Sequence, residues 1–367
     1  MEFAFLSAYP NIIRILCSTA FGDGQLNVVH LTNHLELSDN VRSLTAGDCI
    51  TSELRIVENV NTAAGKQFVL SGTMSIGKKH IASLRTAFLS RGHLVEASKQ
   101  FKRIHDQRIV IKLTSTVEAA TLEAKEWFIY REDALGRLRP DVPITFCLDS
   151  IYRYKSNSVF SSVVTTGKVT IALDDGTVAC IADVDYAWDT SHGNPVLEYL
   201  RAFELVPETS WFEDGGYQLL PGNVDDTTIV VPNTNIDYAL ISCDMNPIHI
   251  NPYFADVAGL PAPITHGQWT ASSTRAAIEH CVTDNRPDRM RKYDTEYTSM
   301  VLPRDKLSVA IFHVGMSRGR MLINGHTSKA DDERVMNFSA EVEQPHAAYV
   351  FTGQGSQQVG MGMQLYE

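Results

Sequence analysis

The residues best suited to chemistry lie in YALISCDMNPIHINPYFA, positions 238 to 255. Asp244 and His249 are five positions apart, with Asn246 and Pro247 between them. Asn and Pro disfavour a continuing strand or helix and predict a turn. A turn can aim a carboxylate and an imidazole at one point, where both relay protons near neutral pH. A second element follows in ITHGQWTAS, 264 to 272, where Gly267 opens the strongest helical stretch of the chain. A helix start offers amide donors without partners and the positive end of the dipole. Glycine there lets a carbonyl oxygen approach, and an amide aimed at that oxygen stabilises the enolate-like charge of α-proton transfer. Together these parts suit reversible addition and removal of water at an α,β-unsaturated thioester, which needs neither a metal nor a redox cofactor. The alternative for the same residues is structural. An Asp-Asn-Pro turn also caps a helix and satisfies local amides, and glycine before a helix is common.

The elements that must position these groups read as repeated antiparallel sheet. Residues 44 to 89 and 302 to 342 form a weak internal repeat. Each opens on an acidic residue in a turn, Asp48 or Asp305, and runs through a β-rich stretch to Gly65-Lys66 or Gly319-Arg320. Phe68, Leu70, Met74 and Ile76 alternate onto one face, as do Leu307, Val309 and Ile311, which marks meanders with one buried side. A third copy is expected between them, with breaks at Asn157, Gly167 and Asp174-Asp175-Gly176. Helical stretches are expected at 118–130, at 194–205 and from Gly267 to Val282, the last with small residues Ala271, Ser272, Ser273, Ala276 and Ala277 that let a sheet wrap closely. The expected fold class is α+β: about three tandem modules, each a curved antiparallel sheet round a central helix. Breaks are expected near 92–108 and 206–226.

The chain has 367 residues, 44% hydrophobic and 20% charged, enough for two or three domains with sizeable cores. Its net charge of -11 argues against nucleic acid. The six cysteines include no CxxC pair, so a zinc ribbon is unsupported, and most read as small core hydrophobes in a reducing compartment. The N-terminus carries Glu2, Pro10 and Arg14 and is a poor signal peptide. No apolar run reaches about 18 residues, so no membrane span is expected and a cytoplasmic location is the default.

The string DMNPIHINPYFA resembles the signature of MaoC-like, or R-specific enoyl hydratase, proteins. That pattern has an Asp, one residue, Asn-Pro, an apolar residue, His and a small residue farther on, a place Ala255 fits. The later Thr265-His266-Gly267 resembles the segment opening the central helix of that hot-dog fold. The resemblance implies that Asp244 and His249 are the acid/base pair, that Asn246 with Pro247 holds the turn, and that the Gly267 amide polarises the thioester carbonyl. One departure is Cys243, where the family usually has Gly; a positive φ there makes Cys costly. VHLTNHLEL, AGDCITSELRIVENV, LEAKEWF, GNPVLEYL, NRPDRMRKY, FHVGMSRGRMLI and others resemble successive parts of the dehydratase region of fungal fatty acid synthase β subunits. The closing FTGQGSQQVGMGMQLY resembles the start of their malonyl/palmitoyl transferase, with Gln354 near the acyl site, but ends before any nucleophilic serine motif, so no acyl transfer is expected.

The resemblance implies non-catalytic modules at 1–105 and 106–225, a catalytic one at 226–345 and a truncated transferase start at 346–367. It implies a dehydratase turning (3R)-3-hydroxyacyl-carrier protein into the trans-2-enoyl thioester, with no cofactor beyond the carrier's phosphopantetheine arm. Its partners would be the carrier domain, the α subunit and the neighbouring reductase and transferase domains. The alternatives are an R-specific enoyl-CoA hydratase and a non-catalytic thioester-binding module. Arg286, Arg289, Arg291 and Lys292 form a basic cluster that can meet an acidic carrier or pair locally. Trp269 can line an acyl tunnel or pack, while His30, His34, His313 and His326 show no catalytic pattern.

Overall fold

A computed structural model describes residues 2–17, 25–39, 41, 44–91, 100–131, 134, 138–154, 160–173, 176–189, 193–206, 209–219 and 224–344. The transferase-like stretch 346–367, the Asp174-Asp175 turn and the break at Asn157 lie outside them. The first unit begins with helix α1 (Glu2–Leu16), followed by β1 (Val28–Leu37), β2 (Ile50–Thr62), β3 (Gly65–Ile76) and β4 (Lys79–Arg91); β5 (Gln100–Lys112) leads into the middle unit. Phe5, Ala8, Tyr9, Ile12 and Leu16 recur at helical spacing and are buried against Phe68, Leu70 and Met74 of β3 and Leu84 and Phe88 of β4. Each such side chain contributes roughly 1.5–3 kcal/mol of burial.

The middle unit adds α2 (Thr116–Glu123), β6 (Phe128–Tyr130), β7 (Pro143–Tyr154), β8 (Phe160–Ala172), β9 (Val178–Trp188) and α3 (Pro195–Arg201). Its strands lie in the order β5-β7-β8-β9-β6. They enclose a separate core with Leu122 of α2 and Leu197 and Leu200 of α3. The two helices have eight and seven residues, shorter than the expected stretches at 118–130 and 194–205, and stand where one central helix per module was expected. The expectation of three like copies is therefore not matched by a third unit of the same build. The helical expectation at 118–130 is also shortened, because Phe128–Tyr130 pairs with β9.

The last unit contains β10 (Thr209–Trp211), β11 (Tyr217–Gln218), β12 (Thr228–Val230), α4 (Ile236–Ser242), α5 (Pro247–Ile250), α6 (Pro252–Val257) and α7 (Gly267–Thr283). Four strands complete it: β13 (Met290–Tyr297), β14 (Lys306–Ser317), β15 (Arg320–Lys329) and β16 (Arg334–Glu343). Helix α7 buries Gln268, Thr270, Ala271, Thr274, Ala277 and Ile278, a stripe at i, i+3, i+4 and i+7 that faces the sheet; Ala276 is exposed.

The strand order β14-β15-β16-β13-β1-β4-β3-β2 is symmetric about the β13–β1 seam. Helix, then four antiparallel strands, occurs once on each side, as the internal repeat anticipates. The two repeat turns are built alike: Asp48 Oδ2 accepts from the Thr45 amide at 2.8 Å, and Asp305 Oδ2 from the Leu302 amide at 2.9 Å. The seam pairs Thr32–Glu36 with Lys292–Glu296 and fuses both units into one sheet. Cysteines depart from expectation: Cys17, Cys49, Cys147 and Cys243 are exposed, because they fall at helix ends, before a strand or on an outward strand position. Among the described residues no helix is long and apolar enough to cross a membrane.

An ion pair crosses the seam, His34 Nδ1 to Asp294. The bond to Asp294, with help from Glu36, holds the His34 imidazolium up to about 9, against burial and Lys292. The unfolded imidazole titrates near about 6.5, so this contribution is complete below that pH and is lost as pH rises towards 9. The expected result is a thermal midpoint that falls between pH 7 and 9.5 in the native chain and is flatter in His34→Gln. Equal slopes in the two proteins would exclude the pair as the cause.

Candidate active site

Helix α4 ends at Cys243, whose φ of 59° and ψ of 17° place it in the left-handed region. That reversal turns the chain so that Asp244 points inward, at 6% exposure. An exposed Cys in this conformation costs about 1 kcal/mol relative to an unstrained residue. Cys243→Gly is therefore expected to raise stability by about 0.5 kcal/mol and to leave turnover unchanged, read from urea midpoints and rates; a clear loss of stability would refute the strain argument.

Asn246 and Pro247 form the start of the single-turn helix α5 and not an irregular turn. The Asn246 side chain caps it by accepting from the Ile248 amide at 3.3 Å, and Pro247 fills the first helical position, where no N–H is needed. This turn carries His249 round to face Asp244, with Nε2 4.0 Å from Oδ2. His249 Nδ1 donates to the Ile264 carbonyl at 2.8 Å, which leaves the Nε2 lone pair free towards Asp244. Burial, then the neighbouring His266, pushes the His249 pKa down to about 4, and Asp244 only partly restores it. The ring is thus neutral at pH 7 and able to accept a proton.

His266 stacks on His249 with ring centroids 3.9 Å apart. Its Nε2 donates to the Asp244 carbonyl at 3.0 Å, so it braces the backbone beneath the carboxylate. Burial lowers its pKa also. Gly267 is the first residue of α7, in the turn whose amides have no carbonyl partner within the helix. A Cβ on Gly267 would lie 3.1 Å from the Tyr297 ring.

These groups line one cavity of about 410 Å³, walled from both sides of the seam. The last unit supplies Asp244, His249 and Gly267, while the first supplies Tyr9, His30 and Phe88. Three buried polar atoms at this wall, His266 Nδ1, Thr265 Oγ1 and Thr270 Oγ1, have no protein partner among the described residues. Such groups suit a polar ligand or ordered water. Asp244, His249 and His266 also place one potential metal-ligating atom each within 4.8 Å of one another. Of the His266 ring nitrogens, Nε2 is engaged by the Asp244 carbonyl.

Three contributors escaped sequence reasoning. The Tyr9 hydroxyl donates to Asp244 Oδ2 across 235 residues of chain. Asn235 donates to the His249 carbonyl at 2.8 Å and the Ile264 carbonyl at 3.0 Å, tying the two site loops together. His30 stacks on Phe88 beside the cavity. Only Asn235 has a local signal, since Asn-Thr-Asn before a helical run marks a helix start.

The basic cluster is corrected by the fold. Arg289 and Arg291 are 4% and 5% exposed. Arg289 donates to the Glu343 carbonyl and to Asp284, and Arg291 to the Ser38 carbonyl. Lys292 lies 3.5 Å from Asp294 and 3.9 Å from Glu341. The two guanidiniums are committed to holding strand ends together and are not free for a carrier. Trp269 packs on the last unit's core and lies outside the cavity lining. His313 bonds the Gly315 carbonyl at 3.1 Å, also away from the cavity.

Two family descriptions match the sequence, "MaoC like domain" over residues 221–335 and "Fatty acid synthase subunit beta, insertion domain" over 101–200. The whole chain is 34% identical to fatty acid synthase subunit beta of Saccharomyces cerevisiae, and likewise 34% identical to that of Schizosaccharomyces pombe, covering 18% of each. It is 32% identical, again over its whole length and 18% of the relative, to the fatty acid synthase beta subunit TOXC of Cochliobolus carbonum. The chain thus spans less than a fifth of the length of these curated relatives. Among solved structures, a MaoC-like dehydratase aligns with 93% of this chain and 83% of its own at 13% identity, with a TM-score of 0.49.

Proposed function

The chain is homologous along its whole length to one segment of fungal fatty acid synthase β subunits and contains a MaoC-like domain, and from that premise we propose that it is a hydro-lyase. It removes water from a (3R)-3-hydroxyacyl thioester on an acyl carrier protein and gives the trans-2-enoyl thioester. The observation that carries this reading is the neutral His249, its Nε2 facing the Asp244 carboxylate in a cavity that also reaches the first turn of α7.

In this mechanism the thioester carbonyl takes the Gly267 amide, which stabilises enolate-like charge. The Cα–H bond breaks and its proton passes to His249 Nε2. The Cβ–O bond breaks and the hydroxyl leaves as water with a proton supplied from the Asp244–His249 pair, whose proton count is unchanged after one turnover. The substrate arrives on a phosphopantetheine arm, and no resident metal or redox group takes part. The parent assembly brings the carrier domain, the α subunit and adjoining reductase and transferase domains, in the cytoplasm.

The test is the change in enoyl thioester absorbance when the chain meets 3-hydroxybutyryl thioesters on carrier protein and on coenzyme A. Turnover is expected with both and is faster on the carrier. A folded chain that binds either thioester but neither dehydrates nor hydrates it would leave a binding module in place of an enzyme.

A further inference from the structure

We propose that Tyr9, on the helix of the first unit, is a positioning residue for the Asp244 carboxylate, so that the unit without an Asp-His pair completes the catalytic site of the other. This inference rests on the proposed dehydratase reading and adds a residue to it.

Asp244 makes two side-chain hydrogen bonds among the described residues. Oδ1 accepts from the Asn246 amide at 3.2 Å, and Oδ2 accepts from the Tyr9 hydroxyl. The His249 and His266 nitrogens stand 4.0 and 3.9 Å from Oδ2, too far to replace that bond. Tyr9 is therefore what fixes the rotation of the carboxyl group and presents it to His249.

The helix that carries Tyr9 is itself fixed. Asn11 Nδ2 donates to the Ser52 carbonyl at 3.0 Å and to its hydroxyl at 2.9 Å, and that hydroxyl donates to the Ser7 carbonyl at 3.2 Å. Phe5, Ala8 and Ile12 are 0–1% exposed in the core beneath. The phenol keeps its proton: burial, then the Asp244 charge, raises its pKa well above the ordinary value. A donor held in place against a buried carboxylate limits its motion.

Tyr9→Phe removes only the hydroxyl and keeps the ring that the core packs on. The expected result is a fall in kcat of about 10- to 100-fold, as for loss of a hydrogen bond to a charged group. KM should stay within about twofold, because the bond is not to substrate. Replacing Tyr9 by 3-fluorotyrosine, a donor of nearly the same shape, should keep the rate. Phe5→Leu, in the same helix and core, should lower stability without lowering kcat. Unchanged kcat in Tyr9→Phe, alongside an inactive Asp244→Asn, would overturn the role of Tyr9 and leave the dehydratase standing. An active Asp244→Asn would instead remove the dehydratase reading itself.

Discussion

Asp244→Asn and His249→Ala are each expected to lower turnover of a carrier-bound 3-hydroxyacyl thioester by about 10²- to 10⁴-fold, the range for loss of a positioned acid or base. Both variants should fold. Asn at 244 keeps an Oδ1 that accepts from the Asn246 amide, and its Nδ2 can donate to the Tyr9 hydroxyl oxygen. Loss of the His249 ring leaves the Ile264 carbonyl with its second donor, Asn235, at 3.0 Å. The pH profile gives a separate check. A base works in its unprotonated form, and the His249 pKa is pushed down to about 4. Its protonation should therefore leave kcat/KM unaffected from pH 6 to 8 and reduce it only as pH falls towards 4. Near-native rates in both variants, or a native profile that titrates near 6.5, would remove the pair from the mechanism.

Gly325→Ala is expected to destabilise the chain by about 3 kcal/mol, the upper part of the range for overpacking. Gly325 lies in the middle strand β15, opposite Ile311 on one side and Phe338 on the other. A Cβ at this position would fall 2.1 Å from the Ala310 carbonyl oxygen and 2.3 Å from the Phe338 ring. The oxygen belongs to the neighbouring strand and cannot move alone. The ring belongs to the core round α7, at 5% exposure. Either β14 and β15 separate locally or Phe338 leaves its place. Gly319→Ala is a different case, because its Cβ would meet nothing within 4 Å and only its φ of 73° is strained. Urea midpoints of the two variants should differ accordingly; a Gly325→Ala midpoint equal to the native one would show that the ring and strand yield freely.

Much of the local plan was readable. Alternation at Phe68, Leu70 and Met74 and at Leu307, Val309 and Ile311 marked buried strand faces, all within 6% exposure. The start of α7 at Gly267 followed from small residues after a glycine. Cys243 stands where the resembled family usually has Gly, and its φ is 59°. Helix α1 was missed because Pro10 interrupts an otherwise amphipathic stretch, although the residues that bury it recur on one face. Of the two readings open to the basic cluster, local pairing is what the fold shows; charge in a sequence does not show whether a guanidinium is turned to solvent or to a buried carbonyl.

By itself the sequence determined what repeats over short distances: strand alternation, the start of α7 and the Asp244–His249 spacing. These are properties of neighbouring residues, set by backbone sterics and by the periods of strand and helix. The tertiary structure alone decided that β1 joins β13, that the first unit walls the cavity of the last, and that Tyr9 meets Asp244. Contacts between such distant residues depend on how whole sheets and helices bury their apolar faces, and that collective packing leaves no pattern in any short stretch of chain.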